Sequence, residues 1–69
     1  MLLDKQTRLR EILEAMKVPE LRMDTTRLHN IRWLKRNLAI DRQGDPNLQE
    51  AQELIAWILS HNPTKGEPQ

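Results

Sequence analysis

Apolar residues recur along this chain at helical spacing in three stretches. Leu2, Leu9, Ile12, Leu13 and Met16 share one side of a first helix. Leu28, Ile31, Leu34 and Leu38 share one side of a second. Leu48, Ala51, Ile55, Ile58 and Leu59, widened by Leu54, form the stripe of a third. No stretch alternates apolar and polar residues for long enough to make a strand. The pattern therefore predicts an all-α, small three-helix domain, with helices over about 3–17, 25–38 and 46–61. The domain is expected to fill 1–62, leaving 63–69 as a disordered polar tail.

The breaks are marked as clearly as the stripes. Pro19 disfavours helix at Val18 and ends the first element, after which Leu21 and Met23 are expected to anchor the connection to the core. Asp24 is suited to cap the second helix, with Met23 and Leu28 in the positions of a hydrophobic staple. That helix should end between Asn37 and Ile40, before the loop Asp41-Arg42-Gln43-Gly44-Asp45-Pro46. The third helix can start in two ways. Asp45 as cap puts Pro46 at the first helical position, and Asn47 as cap puts Glu50 at the capping-box position. Asn62-Pro63 should end it.

The stretch TTRLHNIRWLKRNL, 25–38, reads as the element around which the chain is organised. Its polar side carries a ridge of His29, Arg32 and Arg36. Trp33 lies beside that ridge, about 140° from the middle of the apolar stripe at about 100° per residue. Between Arg22 and Arg42 there are six Lys/Arg against two acids, a local charge of +4 in a chain of net +1. The third helix is the converse. From Asp45 to His61 there are three acids and no Lys/Arg, and Glu50, Glu53, Trp57 and His61 share the polar side. Each of these two helices thus has a tryptophan off its apolar seam. One reading folds each ring over the edge of its own core, and the other uses the rings at an interface.

Length and composition narrow the choice. Sixty-nine residues make one domain near the lower limit for a self-sufficient core. Without Phe, Tyr or Cys, that core must come from Leu, Ile, Met, Val and Ala, helped by the two tryptophans, and neither disulfide nor thiolate metal site can support it. The longest apolar run, Leu54 to Leu59, is too short for a membrane span, and Met1-Leu2-Leu3-Asp4 lacks the features of a signal peptide. A cytoplasmic protein that does not engage the membrane is expected.

The side chains suited to catalysis are few. Ser60 and His61 are adjacent, which places their side chains about 100° apart on a helix and argues against a nucleophile–base pair. His29 and His61 are single histidines without a ligand pattern, and neither glycine belongs to a phosphate-binding loop. No enzyme activity, cofactor, metal or small-molecule substrate is expected. What remains is a non-enzymatic helical protein–protein interaction module that self-associates as a homodimer. His29, Arg32, Trp33, Arg36, Glu50, Glu53 and Trp57 are its candidate partner-binding residues, with the basic helix of one copy against the acidic helix of another. The alternative is a nucleic-acid-binding accessory protein using the basic helix 25–38 on phosphates. A helix-turn-helix is disfavoured, because its reading helix would be the acidic one.

Overall fold

In a computed structural model, which describes residues 2–61, the chain forms three helices. These are α1 (Leu2–Ala15), α2 (Leu28–Asp41) and α3 (Leu48–His61), with one 3-10 turn, Glu20–Arg22, between α1 and α2. There is no strand among the described residues, and none of their helices is long and apolar enough to cross a membrane. The expected tail 63–69 and the helix stop at Asn62-Pro63 lie outside the described residues.

The stripes form the core. Leu9, Ile12, Leu13 and Met16 of the first stripe, Ile31, Leu34 and Leu38 of the second, and Ala51, Leu54, Ile55 and Ile58 of the third make one cluster with Val18 and Met23. Leu28 is buried as well, while Leu48 and Leu59 are half-buried at its margin. The organising element, however, is α3 and not the stretch 25–38. α3 packs directly on both other helices, while α1 and α2 scarcely approach each other. The uninterrupted apolar run from Leu54 to Leu59 explains this, because it covers more of the helix circumference than either other stripe.

Side-chain pairings fix the directions. Arg8 reaches Glu50 and Lys5 reaches the Trp57 ring, so moving back along α1 is moving forward along α3. Gln52 Nε2 donates to Lys35 O, and Leu59 lies in one groove with Arg32, so α2 is antiparallel to α3 too. α1 and α2 are therefore parallel, and the chain must travel back before starting α2. The segment between them makes that return along the flank of α2. Arg42 at the far end of α2 bonds Lys17 O, and Arg22 lies over Trp33. Asn30 Nδ2 then donates to Arg22 O at 2.8 Å and Asp24 O at 3.0 Å.

The helix ends show why the boundaries differ from those the sequence suggests. α1 closes earlier than 17, with Val18 N–H donating to Leu13 O and Lys17 N–H to Glu14 O. This is a Schellman closure, and Lys17 holds its left-handed position at φ 63° where glycine is preferred. α2 starts at Leu28, not at 25. The Asp24 carboxylate is taken by the backbone N–H and hydroxyl of Thr26, a local turn that competes with helix. Arg27, in extended backbone, then becomes the cap residue without a side-chain bond. At its other end α2 runs on to Asp41, because the Asn37 amide bonds Trp33 O inside the helix instead of taking a left-handed cap. Gly44 supplies the left-handed residue at φ 86°. Both proposed caps of α3 contribute. Asn47 N–H donates to Asp45 Oδ1, and Asn47 O accepts the Ala51 N–H. Glu50 does not close a capping box, since Arg8 holds its carboxylate.

One anchor is not where the sequence put it. Met23 is buried, but Leu21 is 93 % exposed on the 3-10 turn. Val18 takes the inward position, because the Schellman closure aims it at the core beside Leu13.

Candidate functional site

The seven candidate residues are distributed over several faces. Glu50 faces α1, where Arg8 Nε and Nη2 meet its two oxygens at 2.9 and 3.3 Å. Those bonds hold the Glu50 carboxyl below its ordinary value. Trp57 lies on the same side of α3. Its ring stacks on His61 with centroids 4.0 Å apart, and Lys5 Nζ stands 5.3 Å from the ring centroid. Glu53 points outward and accepts from Gln49. Arg32 and Arg36 line a shallow groove with Lys35 and Leu59 between α2 and α3. His29 belongs to a different recess, with Leu21, Arg22, Asp24, Arg27 and Asn30.

Trp33 stands apart from the other six. It is half-buried against the core, with the Arg22 guanidinium 4.2 Å from its ring centroid. It also lines a cleft between α2 and the return segment, together with Val18, Pro19, Asn37, Leu38, Asp41 and Arg42. The cleft exists because an irregular segment covers this side of α2. Pro19 has no N–H to donate, and the segment enters its turn there, so it does not close down on the helix as another helix would.

The turn beside the cleft is held firmly. Arg22 N–H donates to Pro19 O at 2.8 Å and Met23 N–H to Glu20 O at 3.1 Å. Asn30, 7 % exposed, ties the turn to α2 through two carbonyls. Among the described residues no buried side-chain polar atom lacks a partner. Asp24 follows the turn. Its bonds to the Thr26 hydroxyl and N–H, with Arg27 nearby, keep its carboxyl below the ordinary range. Leu21 is thus an apolar side chain presented to solvent on a fixed turn. Asn30 and Leu21 were missed as site residues by reading the sequence. Asn30 looks like any polar residue on a helix, and Leu21 falls between elements where no periodicity assigns a direction.

Ser60 and His61 do approach each other, contrary to the angular argument. Ser60 Oγ and His61 Nδ1 are 2.9 Å apart, because both side chains bend back to Trp57 O. The polarity is wrong for a nucleophile and its base. Trp57 O only accepts, so a hydrogen bond at this 2.9 Å separation requires the tautomer protonated at Nδ1, and that tautomer cannot take the Ser60 proton there. Among the described residues no three His, Cys, Asp or Glu side chains are grouped as metal ligands.

The fold and this face define a small helical domain with an open, tryptophan-lined cleft beside a hydrogen-bonded turn that presents Leu21. Comparison of the chain with family models, curated proteins and solved structures finds no match.

Proposed function

We propose that this chain is a non-enzymatic, cytoplasmic helical interaction module that binds protein and self-associates, with the Trp33 flank of α2 as its contact face. The observation that carries the reading is the pairing of an open cleft lined by Val18, Pro19, Trp33 and Leu38 with the exposed Leu21 next to it. Tryptophan and arginine anchors in well-packed pockets dominate interface energies, which singles out Trp33 with Arg22 over its ring, and a small domain gains burial by oligomerising. The polarity of the Ser60–His61 contact supports the non-catalytic side of the reading.

Sedimentation velocity over a concentration series tests it, run on wild type, Trp33→Ala and Trp57→Ala with circular dichroism as the check on folding. The reading expects a wild-type dimer at micromolar concentration, weakened by Trp33→Ala and unchanged by Trp57→Ala. A wild-type monomer at high micromolar concentration would remove self-association.

The groove of Arg32, Lys35, Arg36 and Leu59 favours a second reading, binding to nucleic-acid phosphates. Polarisation of a labelled oligonucleotide over a salt series separates the two. Tight binding that falls steeply with salt, and is lost in Arg32→Ala with Arg36→Ala, would put the second reading first.

A further inference from the structure

Leu21 presents an apolar side chain that the described residues leave uncovered. It is 93 % exposed, far more than Leu3 at 71 % or Ile40 at 65 %. Leu3 and Ile40 sit near helix ends, while Leu21 sits on a turn braced by four hydrogen bonds. The brace keeps Leu21 from folding back. Pro19, two residues earlier, is itself part of the cleft wall, so the cleft next door is out of reach of Leu21 in the same molecule.

We infer that the cleft lined by Val18, Pro19, Trp33 and Leu38 receives Leu21 of a second copy of this chain, across a two-fold axis. Three features point to a second copy. Knob and socket lie on one flank of α2. Arg22 marks the level of the knob at Trp33, and Asp41 and Arg42 mark the far rim of the socket. That is about two and a half helical turns, or roughly 13 Å. A two-fold axis crossing α2 between those levels brings each knob to the other copy's socket, so the contact is made twice with one patch. Charges agree with the same orientation. Leu21 is flanked by Glu20 and Arg22, and the socket is rimmed by Asp41 and Arg42. Glu20 then faces Arg42 of the second copy, and Arg22 faces its Asp41. The pairing orients the docking more than it strengthens it. Finally, a leucine fits a socket walled by valine, proline, leucine and a tryptophan, where a charged segment would be desolvated without a partner.

This inference rests on the self-association proposed above, and the experiment separates the two. Sedimentation velocity is run on the full chain as wild type and as Leu21→Asp, a surface change that should leave the circular dichroism spectrum of the folded chain unaltered. The dimer dissociation constant should rise at least tenfold. In parallel, Leu21→Cys and Asp41→Cys chains, each in a protein with no native cysteine, are oxidised separately and as an equal mixture. The mixture should give the disulfide-linked dimer, and neither variant alone should. A dimer insensitive to Leu21→Asp, or a mixture without the cross-link, overturns the knob-and-socket contact while leaving self-association standing. A wild-type monomer at high micromolar concentration overturns both.

Discussion

Trp33 and Trp57 occupy equivalent places in the sequence pattern and different places in the molecule. Each lies off the apolar stripe of its helix, each is half-buried, and each has a cation over its ring, Arg22 in one case and Lys5 in the other. Trp57 faces a helix. α1 runs the length of α3 there, the Arg8–Glu50 pair closes the same seam, and His61 stacks on the ring one turn further on. Trp33 faces a segment with no regular structure beyond one short turn, and a cleft stays open beside it. An off-stripe tryptophan is covered or left accessible according to what the chain lays against it. A helix offers a continuous ridge of side chains, and a loop that turns at proline does not.

The comparison breaks most sharply at Asn30. Asn30→Ala leaves the carbonyls of Arg22 and Asp24 without their donor, at an expected cost of about 1–3 kcal/mol. Urea unfolding should give that loss. In single-tryptophan versions of the protein, Trp33 emission should shift to the red as the turn loosens, and Trp57 emission should stay where it was. Equal shifts of both would mean that the return segment is not a separate unit.

Lys17 tests the start of the same segment. Its left-handed backbone suits glycine, so Lys17→Gly should stabilise the fold by about 0.5–1 kcal/mol. Arg42 bonds the carbonyl of residue 17 and not its side chain, so that contact survives the change. A loss of stability in thermal melting would show that the closure does not limit this end of α1.

The smallest effect is in acid, and it has one term on each side. Asp24 braces the Trp33 flank and Glu50 the Trp57 flank, and both carboxyls have folded values below their unfolded ones. Stability from such groups is fully present above the unfolded values of about 3.9 for Asp and 4.3 for Glu. It is lost as pH falls below them through the lower folded values. Stability should therefore be flat from neutral pH down to about 5 and decline below about 4. Asp24→Asn should soften the decline sensed at Trp33, and Glu50→Gln that sensed at Trp57. Glu50 is exposed and Asp24 partly exposed, so solvent screening keeps each term small. An unchanged profile in both variants would assign the acid loss to other groups.

The periodicity of Leu, Ile and Met determined that this chain makes three helices, and it determined which side of each is buried. Ile31 and Ile55, the centres of their stripes, are fully buried. Pro19, Gly44 and Pro46 determined where the breaks fall, because φ restriction and glycine's left-handed freedom are local properties. The periodicity gives a side chain's direction about its own axis and nothing about what stands opposite. Tertiary structure therefore decided that α1 and α2 run parallel, that the return segment lies along α2, and that Glu50 is held by Arg8 of the same chain. It also turned Val18 inward and Leu21 outward. A segment without a repeat has no preferred face until packing and its hydrogen bonds to Asn30 impose one.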